Sequence, residues 1–293
     1  MNFLQYNKLY FFFSGLLLGL SIISLLLFHL NFGIDFTSGS ILEIEYATSR
    51  PAVEKIQSDL AGIDIGHLQI QPTGEKSVLL RMKDISEPVH QQVLLKIGNN
   101  AKELRFESIG PVIGKELQNK TLVITFLSLL TIIGYIGFAF RKITQPVKWW
   151  QWSVASLLAL IHDLCIPLGI FAVLGTFQGI QFTIPVVVAL LTVVGYSINN
   201  NIVVFDRVRE NLLKRTGIDF RDTVQKSIQQ TLTRNLNLSL ATLIPLLAIF
   251  FLGGEALKAF ALALMIGIIV GLYSALFFAP AFLVQWLTKA QRP

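Results

Sequence analysis

The chain has 293 residues, of which 53% are hydrophobic and only 14% are charged. A soluble domain carries about 25% charged residues, so this composition excludes a disordered chain and an ordinary cytosolic enzyme and indicates a membrane protein. The net charge of +6 is unevenly distributed, because residues 31–120 hold 12 of the 18 acidic side chains. The positive excess elsewhere is therefore a signal of membrane topology, and we predict no nucleic-acid partner.

Six segments are apolar and long enough to cross a bilayer, which needs about 20 residues of helix. They run over residues 9–30, 121–140, 153–174, 181–205, 236–252 and 257–286. Only Gly253-Gly254-Glu255 separates the last two, which predicts a tight helical hairpin. We predict an α-helical membrane protein with the first helix in residues 1–30, an extracytoplasmic domain in 31–119, helices two to six in 120–286 and a tail in 287–293.

Lysine and arginine are concentrated on one side of the predicted spans, which the positive-inside rule assigns to the cytoplasm. The short loops of the opposite side hold at most Lys258. We therefore expect both termini to be cytoplasmic, in a multi-pass protein of the cytoplasmic (inner) membrane. The bases of the cytoplasmic side are Arg141, Lys142, Lys148, Arg207, Arg209, Lys214, Arg215, Arg221, Lys226, Lys289 and Arg292.

The extracytoplasmic segment has the pattern of a small α+β domain. Its predicted strands cover residues 40–46, 67–71, 77–82 and 104–109, and its predicted helices begin at residue 50 and cover 88–97. Ser49 or Thr48 is a candidate N-cap of the first helix. The order β-α-β-β-α-β is that of a ferredoxin-like split βαβ fold, which we expect between the first and second spans.

Two glycine-containing motifs flank this segment. In Gly33-Ile34-Asp35-Phe36, Gly33 permits a tight junction turn and Asp35 is suited to cap a turn or a helix start. The second motif is Gly110-Pro111-Val112-Ile113-Gly114-Lys115-Glu116-Leu117, and its Pro111 disfavours a continuing central strand. We expect this second motif to be a rigid elbow that transmits motion between the outer domain and the membrane helices.

Polar side chains interrupt the apolar spans, and ionisable groups at membrane depth are functional-site hypotheses by default. His162 and Asp163 are either a functional pair or neutral groups hydrogen-bonded to a neighbouring helix. The consecutive amides of Asn199–Asn201 must all find partners away from lipid. Arg234, at the start of the fifth span, either faces the bundle interior or snorkels to the interface.

Other motifs have simpler interpretations. The fourth span ends in Asp206-Arg207-Val208-Arg209-Glu210, which is typical of a solvated helix with local ion pairs. The Gly267-x-x-x-Gly271 pattern of the last span fits close helix packing. The sequence contains no metal-ligand spacing, nucleophile–base pair or glycine-rich phosphate loop, so we predict neither an enzyme nor a cofactor.

Together these motifs resemble the SecD/SecF family of bacterial protein-export membrane subunits, within the resistance–nodulation–division superfamily. The resemblance covers essentially the whole chain, and its most specific part is Gly195-Tyr196-Ser197-Ile198-Asn199 followed by IVVFDRVREN. It implies an accessory subunit of the Sec translocase that uses an ion gradient. The implied partners are SecD, the SecY translocon with its small membrane subunits, the unfolded preprotein and the lipid bilayer. Half of a small-molecule or lipid exporter of the same superfamily is the alternative.

The resemblance also implies where coupling would occur. In the family the position of Asn200 is typically an aspartate that takes up the transported proton, opposite an arginine that matches Arg234. An amide does not titrate near neutral pH, so Asn200 is not a proton carrier. Proton transfer then runs through SecD or through Asp163, or the complex acts passively as a receiver of emerging chains. The Gly-Gly that follows GIDF in the family is replaced here by Ser38-Gly39-Ser40.

Overall fold

The computed structural model of the chain describes residues 3–73, 75–98, 100–140 and 147–290. It divides into two compact units, which we call the helical unit (residues 1–31 and 124–293) and the outer unit (residues 32–123). The predicted cytoplasmic bases Arg141, Lys142 and Arg292 lie outside the described residues.

The chain is mostly helical and contains one small antiparallel sheet. The elements in chain order are α1 (Asn7–Phe28), α2 (Ile34–Thr37), β1 (Gly39–Tyr46), α3 (Val53–Asp59), β2 (Gln69–Thr73), β3 (Ser77–Met82), α4 (Glu87–Ile97), β4 (Ala101–Ile109), α5 (Pro111–Phe140), α6 (Trp149–Gln178), α7 (Ile184–Leu213), α8 (Phe220–Leu252), α9 (Glu255–Tyr273) and α10 (Ala279–Ala290). A 3-10 turn (Phe3–Tyr6) precedes α1, and a π turn (Ser274–Phe278) connects α9 to α10.

Five helical stretches of the described residues are long and apolar enough to cross a membrane, which confirms a helical membrane protein. They are Phe3–Phe28, Trp150–Gln178, Ile184–Leu213, Phe220–Leu252 and Leu257–Thr288. The remaining predicted span, residues 121–140, lies within the continuous helix α5, which is not one of these five. The first turns of α5 carry the charged residues Lys115, Glu116 and Lys120.

Helices α7, α8 and α9 pack together in the helical unit. Gly267 allows α9 to approach α7 closely, because a Cβ at this position would overlap the side chain of Val193. Helix α8 ends at Leu252 and α9 begins at Glu255. The intervening two-glycine link therefore forms the hairpin that the sequence predicts.

The outer unit is a four-stranded sheet with the strand order β2-β3-β1-β4, and all its neighbouring strands are antiparallel. Leu42 of β1 pairs with Leu80 of β3, and both side chains are buried. Ile56 of α3 and Val93 of α4 belong to the same apolar core. Buried and less buried side chains alternate from Leu42 to Tyr46, as one covered sheet face requires, whereas the first four residues of β1 are all buried.

The start of α3 differs from the prediction. Ala52 is its N-cap and makes no side-chain hydrogen bond, so the expectation of Ser49 or Thr48 is wrong. The backbone N–H of Arg50 donates to the carbonyl of Glu75 at 3.3 Å. This bond, together with the extended conformation that Pro51 favours in the residue before it, delays the helix to Val53.

Candidate functional site

A buried carboxylate lies at the centre of the helical unit. Asp163 of α6 is fully buried. Its Oδ2 accepts a hydrogen bond from Ser197 Oγ of α7 at 2.5 Å and one from Ser274 Oγ at 2.7 Å. Ser274 is the first residue of the π turn. The carboxylate therefore ties together three segments that are distant in sequence.

His162 completes the polar contacts of this carboxylate. Its Nδ1 lies 2.9 Å from Asp163 Oδ1. Its ring stacks on Phe278, with 5.1 Å between the ring centroids, and lies 6.1 Å from the ring of Tyr273. The other ring nitrogen, Nε2, is buried and has no hydrogen-bond partner among the described residues. The imidazole is thus held in place by one hydrogen bond and by ring packing.

Two further residues lie next to these groups. Asn201 donates from Nδ2 to the carbonyl of Ser197 at 3.0 Å. Gly271 lies so close that a Cβ there would be 3.5 Å from Asp163 Oδ2. We call the set of His162, Asp163, Ser197, Asn201, Gly271 and Ser274 the Asp163 cluster. Among the described residues, no group of three His, Cys, Asp or Glu side chains is arranged to hold a metal ion.

Sequence reasoning did not find Ser274 or the role of Gly271. The only available signal was a hydroxyl between two apolar stretches of the last span. The π turn that begins at Ser274 is a second feature of this place, because isolated π-helical turns occur frequently at functional sites. Of the two glycines in the α9 pattern, Gly267 thus permits close helix packing and Gly271 borders the polar site.

The consecutive asparagines have three different environments. Asn199 is exposed on α7, whereas Asn200 and Asn201 are fully buried. Both amide atoms of Asn200 lack a hydrogen-bond partner among the described residues, and the same holds for Asn235 of α8. An unsatisfied buried polar group costs about 1–3 kcal/mol. Asn200 and Asn235 are therefore polar groups that the described residues do not satisfy.

Arg234 lies on the exposed side of α8. Within this chain, Arg234 is therefore not packed between the described helices. Asn235 is buried instead, because one residue along a helix turns the side chain by about 100°. The structure thus separates the inward amide from the outward guanidinium.

The rest of the α7 motif makes local contacts. Tyr196 donates from its hydroxyl to Ser239 Oγ of α8 at 3.0 Å. At the end of the helix Asp206 pairs with Arg209 at 3.3 Å, and Arg207 pairs with Glu210 at 2.5 Å. These are the ion pairs that the sequence predicts.

The two glycine-containing motifs lie in the outer unit. Gly33 is the N-cap of α2, and Asp35 lies in its first turn. Pro111 is the first residue of α5, the position that proline favours, and Glu116 forms an exposed ion pair with Lys120 at 2.6 Å. Gly110 precedes the helix, and its carbonyl accepts from the N–H of Gly114 at 2.9 Å.

Ser38 adopts a backbone conformation that is unusual for its residue type. Its φ is 63° and its ψ is 163°, in a region that is essentially restricted to glycine. Gly39 has a φ of 132°, and a Cβ there would be 2.7 Å from the carbonyl oxygen of Met82. Gly114 lies directly against the side chain of Ser38. The replacement of the first family glycine by Ser38 therefore leaves local strain.

Comparison with known proteins identifies relatives over almost the whole chain. Residues 89–289 match the family model "Protein export membrane protein SecD/SecF, C-terminal", and residues 23–49 match the "SecD/SecF GG Motif". The chain is 39% identical to a protein translocase subunit SecF of Thermobaculum terrenum, over 91% of this chain and 88% of the relative. It is 35% identical to a protein translocase subunit SecDF of Thermus thermophilus, over 88% of this chain and 35% of the relative.

A solved structure has the same fold. The crystal structure of SecDF from Thermus thermophilus, described as a translocon-associated membrane protein, superposes with a TM-score of 0.84 at 33% sequence identity. The match covers 98% of this chain and 38% of the longer SecDF chain.

Proposed function

Because this chain belongs to the SecD/SecF family of protein export membrane proteins, we propose that it is an accessory membrane subunit of the Sec protein translocase. The observation that carries this proposal is the match to a protein translocase subunit SecF over 88% of the relative's own length. This match favours a role in preprotein export over the alternative role as half of a small-molecule exporter. The role is non-enzymatic, since the subunit assists movement of a polypeptide and needs no bond-making step.

We propose that α5 is the sixth membrane span and that the outer unit is a ferredoxin-like domain. Residues 121–140 contain no Asp, Glu, Lys or Arg, and the helix that contains them is 30 residues long. The chain order of the outer unit is β1-α3-β2-β3-α4-β4, and its sheet order is β2-β3-β1-β4. Both orders support a split βαβ arrangement.

We propose that both termini are cytoplasmic and that the protein resides in the cytoplasmic membrane. The connection between α7 and α8 supports this orientation, because it carries Lys214 and Arg215 in a short loop. The same orientation puts the outer unit on the far side of the membrane, where a preprotein emerges. We propose that the motif Gly110–Leu117, at the start of α5, is the elbow that transmits motion between the membrane helices and the outer unit.

We propose SecD as the companion subunit in the membrane. The SecDF chains are longer, and this chain matches about a third of one of them. Superfamily transporters are built from two pseudo-symmetric halves. The exposed Asn199 and Arg234 support a protein neighbour beside α7 and α8, since polar side chains are unfavourable against lipid. The SecY translocon, its small membrane subunits and the unfolded preprotein are the further partners.

The experiment is affinity purification of the tagged chain in mild detergent, followed by identification of the co-purified proteins. We expect SecD and components of the SecY translocon, and an untagged chain expressed at the same level is the control. Recovery of exporter adaptor proteins, or of no companion subunit, would contradict the proposal.

A further inference from the structure

Asp163 has properties that a purely structural residue does not need. It is the only fully buried carboxylate among the described residues. A charge at the bilayer centre costs about 2.5–3.5 kcal/mol on insertion scales. Asparagine or serine would supply hydrogen bonds between the same helices at a lower cost. What the carboxylate adds to these groups is the ability to bind and release a proton.

We propose that Asp163 reversibly binds a proton and that this event changes the hydrogen bonds that hold α6, α7 and the π turn together. The inference deepens the proposed function and rests on it, because it assigns a proton site to a residue of this export subunit. It selects, from the possible routes, the one that runs through this chain.

The ionised state corresponds to the observed hydrogen bonds. Oδ2 accepts from both Ser197 and Ser274, at 2.5 Å and 2.7 Å. Hydrogen bonds to an ionised acceptor are shorter and about twice as strong as those between neutral groups. The negative charge therefore holds α7 and the π turn against α6.

Ser274 has a second acceptor within reach. Its Oγ also lies 3.2 Å from the carbonyl of Gly271, one turn earlier in the same segment. A serine hydroxyl has a single proton to donate, so its bond to Asp163 and its bond to Gly271 compete. Ser274 can thus exchange a contact between helices for a contact within its own helix.

Protonation of Asp163 decides this competition. A proton from one aqueous phase adds to the carboxylate, forms one O–H bond and neutralises the charge, and no other covalent bond changes. The group next to this carboxylate is His162, whose Nδ1 is 2.9 Å from Oδ1. The neutral acid is a weaker acceptor, so Ser274 turns to Gly271 and the contact between α6 and the π turn loosens. Release of the proton to the opposite phase restores the bond.

The remaining titratable groups nearby do not replace Asp163 in this role. Tyr273 of α9 faces His162, and its hydroxyl donates to the carbonyl of Tyr10 of α1 at 3.1 Å. Cys165 lies two residues further along α6 and is half-buried. The neighbours from α7 are Ser197 and Asn201, which do not titrate near neutral pH. His162 is the partner next to the carboxylate, and its Nε2 is buried with no hydrogen-bond partner among the described residues.

The first test measures proton flux in vesicles that contain the chain together with its companion subunit and a pH-sensitive dye. Asp163→Asn keeps the size of the side chain and removes its titration, and we expect it to abolish the flux. The matched control is Asp64→Asn, the same change at an exposed carboxylate that pairs with Lys83 in the outer unit. Equal flux in wild type and Asp163→Asn would overturn the inference.

The second test does not depend on a folded Asp163→Asn variant or on a companion. Infrared difference spectra of the purified chain between neutral and acidic pH should contain the carboxylate band of Asp163, which is lost reversibly on acidification. Ser274→Ala should shift the frequency of this band, because it removes one donor to the ionised group. Ser58→Ala, at an exposed serine that donates to Lys55, should not. If no carboxylate band that is lost on acidification shifts in Ser274→Ala, at any pH at which the chain stays folded, Asp163 is not a proton site, whereas absence of SecD from the affinity purification would contradict the proposed function instead.

Discussion

Ser274 Oγ lies 2.7 Å from Asp163 Oδ2, although 111 positions separate the two residues in the chain. The bond joins α6 to the turn between α9 and α10 at a point where both side chains are fully buried. A hydrogen bond to a charged group contributes about 1.5–3 kcal/mol to stability. Loss of the hydrogen bond between Ser274 and Asp163 should therefore measurably lower the stability of the protein.

Ser274→Ala should lower the free energy of unfolding by about 1.5–3 kcal/mol, because one hydroxyl donor to the carboxylate is removed. The measurement is the thermal unfolding midpoint in detergent. Ser58→Ala is the control, since the hydroxyl of Ser58 is exposed and donates to the carbonyl of Lys55. Equal midpoints for the two variants would show that the bond to Asp163 does not stabilise the protein.

The adjacent asparagines of α7 should respond differently to the same substitution. Asn201→Ala loses the bond from Nδ2 to the carbonyl of Ser197. Asn200→Ala loses no hydrogen bond within the described chain and removes two unsatisfied polar atoms. We expect Asn200→Ala to be more stable than Asn201→Ala by about 1 kcal/mol in the isolated chain. The reverse order in the unfolding midpoints would mean that Asn200 has a partner within the chain.

Ser38→Gly should stabilise the outer unit. Relief of a backbone conformation reserved for glycine is worth about 1–3 kcal/mol, and the greater freedom of glycine in the unfolded chain offsets about 0.5–1 kcal/mol. Amide hydrogen exchange of β1 in the full chain measures the net gain. Ser40→Gly is a control with the opposite expected effect. Ser40 Oγ accepts a hydrogen bond from the N–H of Ile85 at 3.1 Å, and loss of this bond should speed amide exchange of β1. Faster exchange in Ser38→Gly would exclude strain at this position.

Gly267→Ala should separate α7 from α9. The new Cβ would overlap Val193, and overpacking of this kind costs about 1–3 kcal/mol. Gly134→Ala in α5 is the control, because nothing lies within 4 Å of its Cβ position. We expect a lower unfolding midpoint for the first variant and an unchanged or higher one for the second. Similar midpoints would contradict close packing at Gly267.

Acidification should weaken the start of α4. A hydrogen bond from Gln91 at 2.6 Å, followed by the contact with His90, holds the pKa of Glu87 below its ordinary value of 4.5. A lowered carboxyl pKa contributes stability above the unfolded value, and this stability is lost as the pH falls through the folded value. Protection of the α4 amides against hydrogen exchange should therefore fall as the pH drops below 4.5.

Glu87→Gln is the matched control for this acid effect, since it removes the titration and keeps the side-chain size. If protection in the variant falls with pH as it does in wild type, the effect does not come from Glu87.

The sequence predicts the outer elements well because alternation of apolar and polar residues reports one covered sheet face. Strand β3 (Ser77–Met82) has the predicted bounds and α4 starts one residue early, whereas β2 (Gln69–Thr73) lies two residues later than predicted and β4 (Ala101–Ile109) starts three residues earlier. The predicted start of α3 is wrong because it is set by the backbone hydrogen bond from Arg50 to Glu75, a residue 25 positions away in the chain. The order of strands in the sheet is likewise a long-range property that periodicity does not encode.

Within the membrane helices, the sequence identifies which residues are polar but not what they touch. Asp163 stood out as an ionisable group in an apolar span, yet its donor Ser274 comes from the far end of the chain. A helix turns about 100° per residue, so one position decides whether Arg234 or Asn235 points inward. The choice depends on how α8 packs on α7 and α9, which the residue pattern does not fix.

The most direct test of the account is preprotein export in cells depleted of their own copy of this chain and supplied with wild type or Asp163→Asn. The readout is the fraction of a labelled preprotein that becomes accessible outside the cytoplasmic membrane with time. We predict that depletion slows export, that wild type restores it, and that Asp163→Asn does not. Normal export in the depleted cells would contradict the account.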